Sequence, residues 1–224
     1  MSKIITIDGP AGSGKSTIAR LLAQRLGITF LDTGAMYRAV TLAAMRQDVD
    51  MADEDQLLNV LNQNAFEFTP QQDTIQVHLN DIDVTDSIRT PEVTANSKFI
   101  AAAPKIREKL VEMQRDFATA RDGIVTEGRD QGTIAFPNAD VKIFLTASLE
   151  ERALRRQNQP QLQGGGGQIE QIKEAIDQRD TGDKNRSTGP LVPAEDAITL
   201  DTTNMDIEQV VEAVLQIVKE KCQC

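Results

Sequence analysis

The sequence has no tryptophan, one tyrosine (Tyr37) and one histidine (His78), and its only cysteines are Cys222 and Cys224. Each scarcity removes a class of function. Without tryptophan and with one tyrosine there is no aromatic platform on which the bases of a nucleic-acid strand would stack. The lone histidine falls in a short alternating segment, where it reads as a surface strand residue and not as a base or a metal ligand. Two cysteines one residue apart build neither a disulfide framework nor a metal site, which suits a reducing compartment. The longest apolar stretches are strand-sized, such as residues 4–7 and 141–145 with one polar residue in each, far short of the roughly 18 unbroken apolar residues of a membrane span. Lys3 leads straight into the first of them, without the apolar stretch and cleavage site of a secretory leader, so a cytoplasmic location is expected. Positive charge is also short, with 24 basic against 34 acidic residues and a net charge of −10. That balance repels polyanions and argues against broad nucleic-acid binding, while local basic clusters can still hold small phosphates.

What is present is enough apolar material for one sizeable core, 40% of 224 residues. Residues 4–7 read as a buried strand, followed by a Gly-rich turn and then Ile18, Leu21, Leu22 and Leu26 at helical spacing. Residues 28–31 read as a second strand and 35–46 as a second helix, giving a βαβα unit and hence a parallel sheet covered by helices. Residues 65–69, 74–79 and 82–84 alternate between turn residues and predict a small antiparallel insertion. Pro104 suits a first helical position, with Ile106, Leu110, Met113 and Phe117 following on one face. Further strands are expected at 124–126, 141–146 and 197–200, with helices opening after Ser148, over 169–179 and through Val218. Residues 157–168, rich in Gln and including Gly164 to Gly167, have no apolar period and read as a tip.

Gly9-Pro10-Ala11-Gly12-Ser13-Gly14-Lys15-Ser16, with Thr17 after it, fits the phosphate-binding loop pattern, with a strand before it and a helix after it. Glycines let the backbone wrap a triphosphate so that N–H groups and the helix N-terminus point at it. Lys15 then reaches the β- and γ-phosphates and Ser16 ligates Mg²⁺. Glu127, at the end of the strand over 124–126, stands where a carboxylate serves the metal through water. The loop settles the donor, ATP with Mg²⁺, and leaves the acceptor open.

Asp8-Gly9-Pro10, Leu31 to Arg38, Ile88-Arg89-Thr90, Gly128-Arg129-Asp130 with Gly132-Thr133, and Arg179-Asp180 through Asp183 to Asn185-Arg186 occur in order over nearly the whole chain. In these motifs the chain resembles the bacterial cytidylate kinase family. The resemblance implies transfer of the γ-phosphate of ATP to CMP or dCMP by a monomer. It places Thr33, Tyr37, Arg38, Arg107, Arg129, Asp130, Arg179, Asp183 and Arg186 around the acceptor, with Arg38 on its phosphate. Arg107 and Asp130 would face the cytosine edge, since an arginine fork suits a carbonyl and an ionised carboxylate accepts from an amino group. Arg152, Arg155 and Arg156 share a helix face, and in such kinases that face belongs to a lid. Lys15, Arg152, Arg155 and Arg179 are therefore expected to be catalytic. Lys98 departs from the small hydroxyl residue expected beside the base, and the Gly164–Gly167 run is unusual for a lid.

The resulting expectation is a P-loop nucleoside monophosphate kinase fold, a five-stranded parallel sheet with helices on both faces. The core would take residues 1–31, 103–156 and 179–224, the acceptor-binding insertion 32–102 and the lid 157–178. Two other readings stay open. A kinase for AMP, UMP or shikimate would share the loop but not Arg107 with Gly128-Arg129-Asp130, and a GTP-dependent switch lacks an Asn-Lys-x-Asp motif here.

Overall fold

The computed structural model describes residues 3–71, 74–158 and 168–222. Strand β1 (Lys3–Asp8) runs through the phosphate-loop sequence into helix α1 (Lys15–Leu26), and strand β2 (Thr29–Asp32) runs into helix α2 (Thr33–Arg46). Asp32 caps α2, its Oδ1 accepting from the Ala35 N–H at 2.9 Å, so the helix begins two residues before its apolar pattern does. Helix α3 (Glu54–Gln63) follows, then the antiparallel strands β3 (Phe66–Pro70), β4 (Ile75–Leu79) and β5 (Ile82–Asp83). His78, expected at the surface, is half-buried in β4 between Glu67 and Asp83. Helix α4 (Pro91–Ala102) and helix α5 (Pro104–Thr119) both carry proline in the first turn, where the missing N–H costs nothing.

Strand β6 (Gly123–Gly128) ends at Arg129-Asp130 and a single π-helical turn, Gln131–Ala135. Strand β7 (Val141–Thr146) precedes helix α6 (Leu149–Gln157), whose Glu151 N–H donates to the Ser148 hydroxyl at 3.2 Å. Helix α7 (Ile169–Lys184), strand β8 (Ile198–Asp201) and helix α8 (Ile207–Cys222) complete the order. Residues 159–167, which carry most of the expected tip and its Gly164–Gly167 run, lie outside the described residues. Among the described residues no helix is long and apolar enough to cross a membrane.

The other five strands form one parallel sheet in the order β2-β6-β1-β7-β8. Successive side chains alternate between its faces. Ile5, Ile7, Val125, Ile143 and Leu145 pack against Ile18 and Leu22 of α1 and Val211 and Val214 of α8. Ile124 faces the other way, into a core with Met36 of α2 and Ile106 and Leu110 of α5. Helices thus cover both faces, as the βα alternation requires. The structure adds to the expected elements α3, α4 and the π turn, and it carries α7 five residues past Arg179.

The strand order puts β1 at the centre with crossovers to either side. Asp8, Asp32 and Gly128 therefore emerge together at the carboxyl edge, where open α/β sheets bind ligands. Leu110 is fully buried and Leu154 is 47% exposed. Leu110→Ala should cost about 2–5 kcal/mol in urea unfolding and Leu154→Ala within about 0.5 kcal/mol; equal losses would contradict the described core.

Candidate active site

Gly9 begins the loop at φ +150°, and a Cβ there would stand 2.0 Å from the Leu145 carbonyl oxygen of the neighbouring strand. Only glycine lets the chain leave β1 so close to β7. Gly14 precedes α1 in the left-handed region and no side chain caps the helix. The first-turn N–H groups therefore lack intrahelical acceptors and, with the helix dipole, make an anion site. The Lys15 ammonium bends back over this loop, donating to the Pro10 carbonyl at 2.7 Å and more weakly to Ser13 Oγ at 3.4 Å. Burial lowers its pKa to about 7, and repulsion from Arg129 adds to the effect.

Ser16 Oγ donates to Glu127 Oε1 at 2.8 Å, and Thr33 Oγ1 donates to the Glu127 carbonyl at 2.6 Å. β6 thus ties the first turn of α1 to the first turn of α2. A hydroxyl beside a carboxylate is an oxygen pair of the kind Mg²⁺ takes when phosphates and water complete its shell. Among the described residues no group of three His, Cys, Asp or Glu side chains would hold a metal unaided.

Six arginines gather beyond the loop, and acids hold most of them. Arg38 Nη2 lies 3.2 Å from Asp32 Oδ2, and Arg89 reaches the same oxygen at 3.6 Å. Arg107 pairs with Asp130, both buried, and its guanidinium carbon is 5.7 Å from the centre of the Tyr37 ring. Burial raises the Tyr37 phenol to about 12. Arg129 Nε donates to Asp183 Oδ2 at 2.6 Å, and Arg186 Nη2 lies 3.6 Å from Asp183 Oδ1. Arg179 is exposed and has no ion pair among the described residues; partial desolvation, then repulsion from Arg129, holds it below the usual arginine range. Three guanidinium nitrogens, Arg38 Nε, Arg107 Nε and Arg186 Nη2, are buried with no hydrogen-bond acceptor among the described residues.

Asp8 aims the segment that bears two of these groups. Its oxygens accept from the Gln131 and Gly132 N–H groups at 2.9 and 2.7 Å, and burial raises its carboxyl to about 6. The Gln131 side chain then accepts from Thr126 and donates to Gln114. Arg129 and Asp130 thus leave the sheet from an anchored backbone.

Arg152 and Arg155 share the expected face, towards the phosphate loop, but their guanidiniums are engaged by the protein and not left free for the transferring group. Arg152 is buried and donates to the Ala147 and Ala11 carbonyls and to Asp180. Arg155 donates to Glu151 and to both the hydroxyl and the carbonyl of Thr202. Backbone oxygens at the loop and at the end of β8 hold these cations, which were expected to serve the transferring group from a lid. Lys98 is exposed, with its ammonium 5.1 Å from the Phe99 ring centre. Asp8, Asp32 and Asp180 stand inside the recognised motifs but were given no part by sequence reasoning. Asp8 and Asp32 carried a readable signal as acids ending a strand, whereas Asp180, inside α7, carried only its place beside Arg179.

The model of the cytidylate kinase family matches residues 5–220. The chain belongs to the cytidylate kinase family. It is 47% identical to a cytidylate kinase of Bacillus cytotoxicus over 219 residues, covering 98% of this chain and 97% of that one. A cytidylate kinase of Anoxybacillus flavithermus is 46% identical over 219 residues, with the same two coverages of 98% and 97%. In fold it is similar to the crystal structure of an uncharacterized protein from Eubacterium ventriosum, with a TM-score of 0.52, 13% identity and coverage of 98% and 99%.

As a member of the cytidylate kinase family the chain is a phosphotransferase, and a polyphosphate is the natural ligand of the loop. With Lys15 lowered to about 7, its amine loses most of its charge at pH 8 when the loop is empty, while the neighbouring arginines keep theirs. A bound polyphosphate favours the ammonium, so binding takes up a proton and weakens as pH rises above 7. Calorimetry with ATP at pH 8, in buffers of different ionisation enthalpy, should show uptake of roughly 0.5–1 proton, absent in Lys15→Met. Proton-neutral binding by the unaltered protein would show that Lys15 stays charged when the loop is empty.

Proposed function

We propose that this chain transfers the γ-phosphate of ATP to CMP or dCMP, giving ADP and CDP or dCDP. The observation that carries the reading is the set of buried guanidinium nitrogens left without acceptors on Arg38, Arg107 and Arg186. Each such donor costs about 1–3 kcal/mol unless a ligand satisfies it. A nucleoside monophosphate brings phosphate oxygens and a base carbonyl, the acceptors these planar forks suit.

In this reading residues 9–17 hold ATP, with Lys15 on its β- and γ-phosphates. Arg38, Arg129, Arg179 and Arg186 hold the acceptor phosphate, Asp183 accepts from its sugar, and Thr33 and Tyr37 lie beside it. Arg107 and Asp130 read cytosine. Ser16 would hold Mg²⁺, with Glu127 acting through water; when bound, the metal neutralises charge on the phosphates. Residues 32–102 serve as the acceptor-binding insertion and 157–178 as the lid. The same reading makes the protein a cytoplasmic monomer acting on nucleotides and not on nucleic acid.

No protein base is required, because phosphoryl transfer depends mainly on alignment and charge stabilisation. Lys15 and Arg179 are the cations we place on the transferring group. Arg179 has no ion pair among the described residues and lies close enough to Arg129 and Lys15 for their charges to repel, with Asp183 offsetting part of that. Arg152 and Arg155, engaged with backbone carbonyls, are left out of that role.

Base choice tests the reading. Ionised Asp130 accepts from the cytosine amino group, whereas uracil offers a carbonyl and sets two acceptors against each other. A coupled assay with ATP and Mg²⁺ against CMP, dCMP, UMP, AMP and shikimate should give turnover strongest with CMP or dCMP. Asp130→Ala should lower kcat/KM for CMP and shrink the CMP/UMP ratio at least about tenfold. A ratio that survives the substitution would sink the assignment of Asp130 to the base.

A further inference from the structure

Neither the base-reading pair nor the phosphate arginines account for Asp180. It is 4% exposed and stands on α7 between Arg179 and Asp183. Its Oδ1 accepts from the Ala11 N–H at 2.8 Å and its Oδ2 accepts from Arg152 Nη1 at 2.5 Å. Arg152 Nη1 also donates to the Ala11 carbonyl at 2.8 Å, while its Nε donates to the Ala147 carbonyl at 3.1 Å. Ala11 is therefore gripped at both of its peptide groups, the N–H by an acid from α7 and the carbonyl by an arginine from α6.

The grip is close. A Cβ on Gly12, which sits at φ +77°, would lie 2.9 Å from the Arg152 carbonyl oxygen. Ala11, Ala153 and Ile176 form a small apolar cluster around it, with Leu149, Ile169 and Ile172 against them. Two buried charges in mutual contact are maintained here although burial disfavours each alone. Both end on one residue of the phosphate loop.

The other end of this part of α7 belongs to the acceptor side. Asp183, three residues along, holds Arg129 and Arg186, and Arg179 precedes Asp180 directly. We propose that Asp180 is a positioning residue: with Arg152 it sets the phosphate loop in its anion-binding shape, and through α7 it passes occupation of the acceptor side to that loop. The inference rests on the functional reading above. An acceptor phosphate on Arg129, Arg179 and Arg186 fixes α7, and a fixed α7 holds Ala11, so ATP binds a loop already in place. Coupling of this kind is reciprocal between the two ligands.

The test is calorimetric binding of a non-hydrolysable ATP analogue with Mg²⁺, with and without saturating CMP, and of CMP alone. In the unaltered protein CMP should tighten the analogue at least about fivefold. In Asp180→Ala that factor should fall below about twofold. The analogue alone should bind at least about tenfold more weakly, and CMP alone should stay within about threefold. Asp180→Asn keeps an acceptor for the Ala11 N–H but loses the charge that Arg152 faces, so it should give an intermediate factor; it carries the test if the alanine variant does not fold. An unchanged factor in both variants, or parallel weakening of CMP and the analogue, would overturn the proposal alone. Failure of the unaltered protein to bind CMP would overturn it together with the functional reading.

Discussion

Repulsion among cations confined at one edge of a sheet is the constraint around which the rest is arranged. Arg129 and Arg179 press on Lys15 and Arg129 presses on Arg179, while acids hold Arg129 itself in its charged form; Lys15 and Arg129 have little access to water. The chain as a whole carries a net charge of −10, so the cluster is a local inversion. Its folded cost is offset in part by acids placed one by one: Glu127 near Lys15, Asp183 against Arg129 and Arg186, Asp32 against Arg38 and Arg89, and Asp130 against Arg107. The compensation is incomplete, and what remains is an appetite for anions. A phosphate entering such a site meets donors that are already desolvated and aligned, which is how preorganised electrostatics gains its effect.

The parallel sheet is what permits this concentration. In a βα unit every strand ends where a helix begins, so helix N-termini, which favour negative charge, collect along one edge. Asp8 and Asp32 occupy equivalent ends of β1 and β2, yet they do different work. Asp32 caps a helix and holds two arginines, whereas Asp8 turns inward to anchor the backbone after Asp130. Glu127, between them in the sheet order, joins the phosphate loop to α2. Three acids on adjacent strands thus hold three chain segments in one geometry.

Much of this was legible in the sequence. β7 occupies the residues its apolar run predicts, and the phosphate loop lies between the strand and helix that its pattern demands. The helices α3 and α4 were not anticipated. α4 buries only Val93 and Ile100 of its residues, so its apolar period is too sparse to read, although Thr90-Pro91 marks its start. α3 has a readable trio in Leu57, Val60 and Leu61 behind the Asp53 cap, but ten residues make a short window. Arginine placement was harder to read. Spacing along α6 gives a shared face but not what that face meets, and Arg152 and Arg155 meet carbonyls brought from residues far away in the chain. Pairings such as Arg152 with Asp180, 28 residues apart, exist only once the fold is made.

The central claim is that buried arginines await a phosphate and that the acceptor's anion supplies most of the binding. Its most direct test is the affinity of CMP against that of cytidine, titrated calorimetrically at low and moderate salt. Loss of the phosphate removes several charge-assisted hydrogen bonds, each worth about 1.5–3 kcal/mol, so cytidine should bind at least about 100-fold more weakly and with little dependence on salt. Cytidine binding within about threefold of CMP would show that the arginine cluster is satisfied without an anion, and would contradict the account.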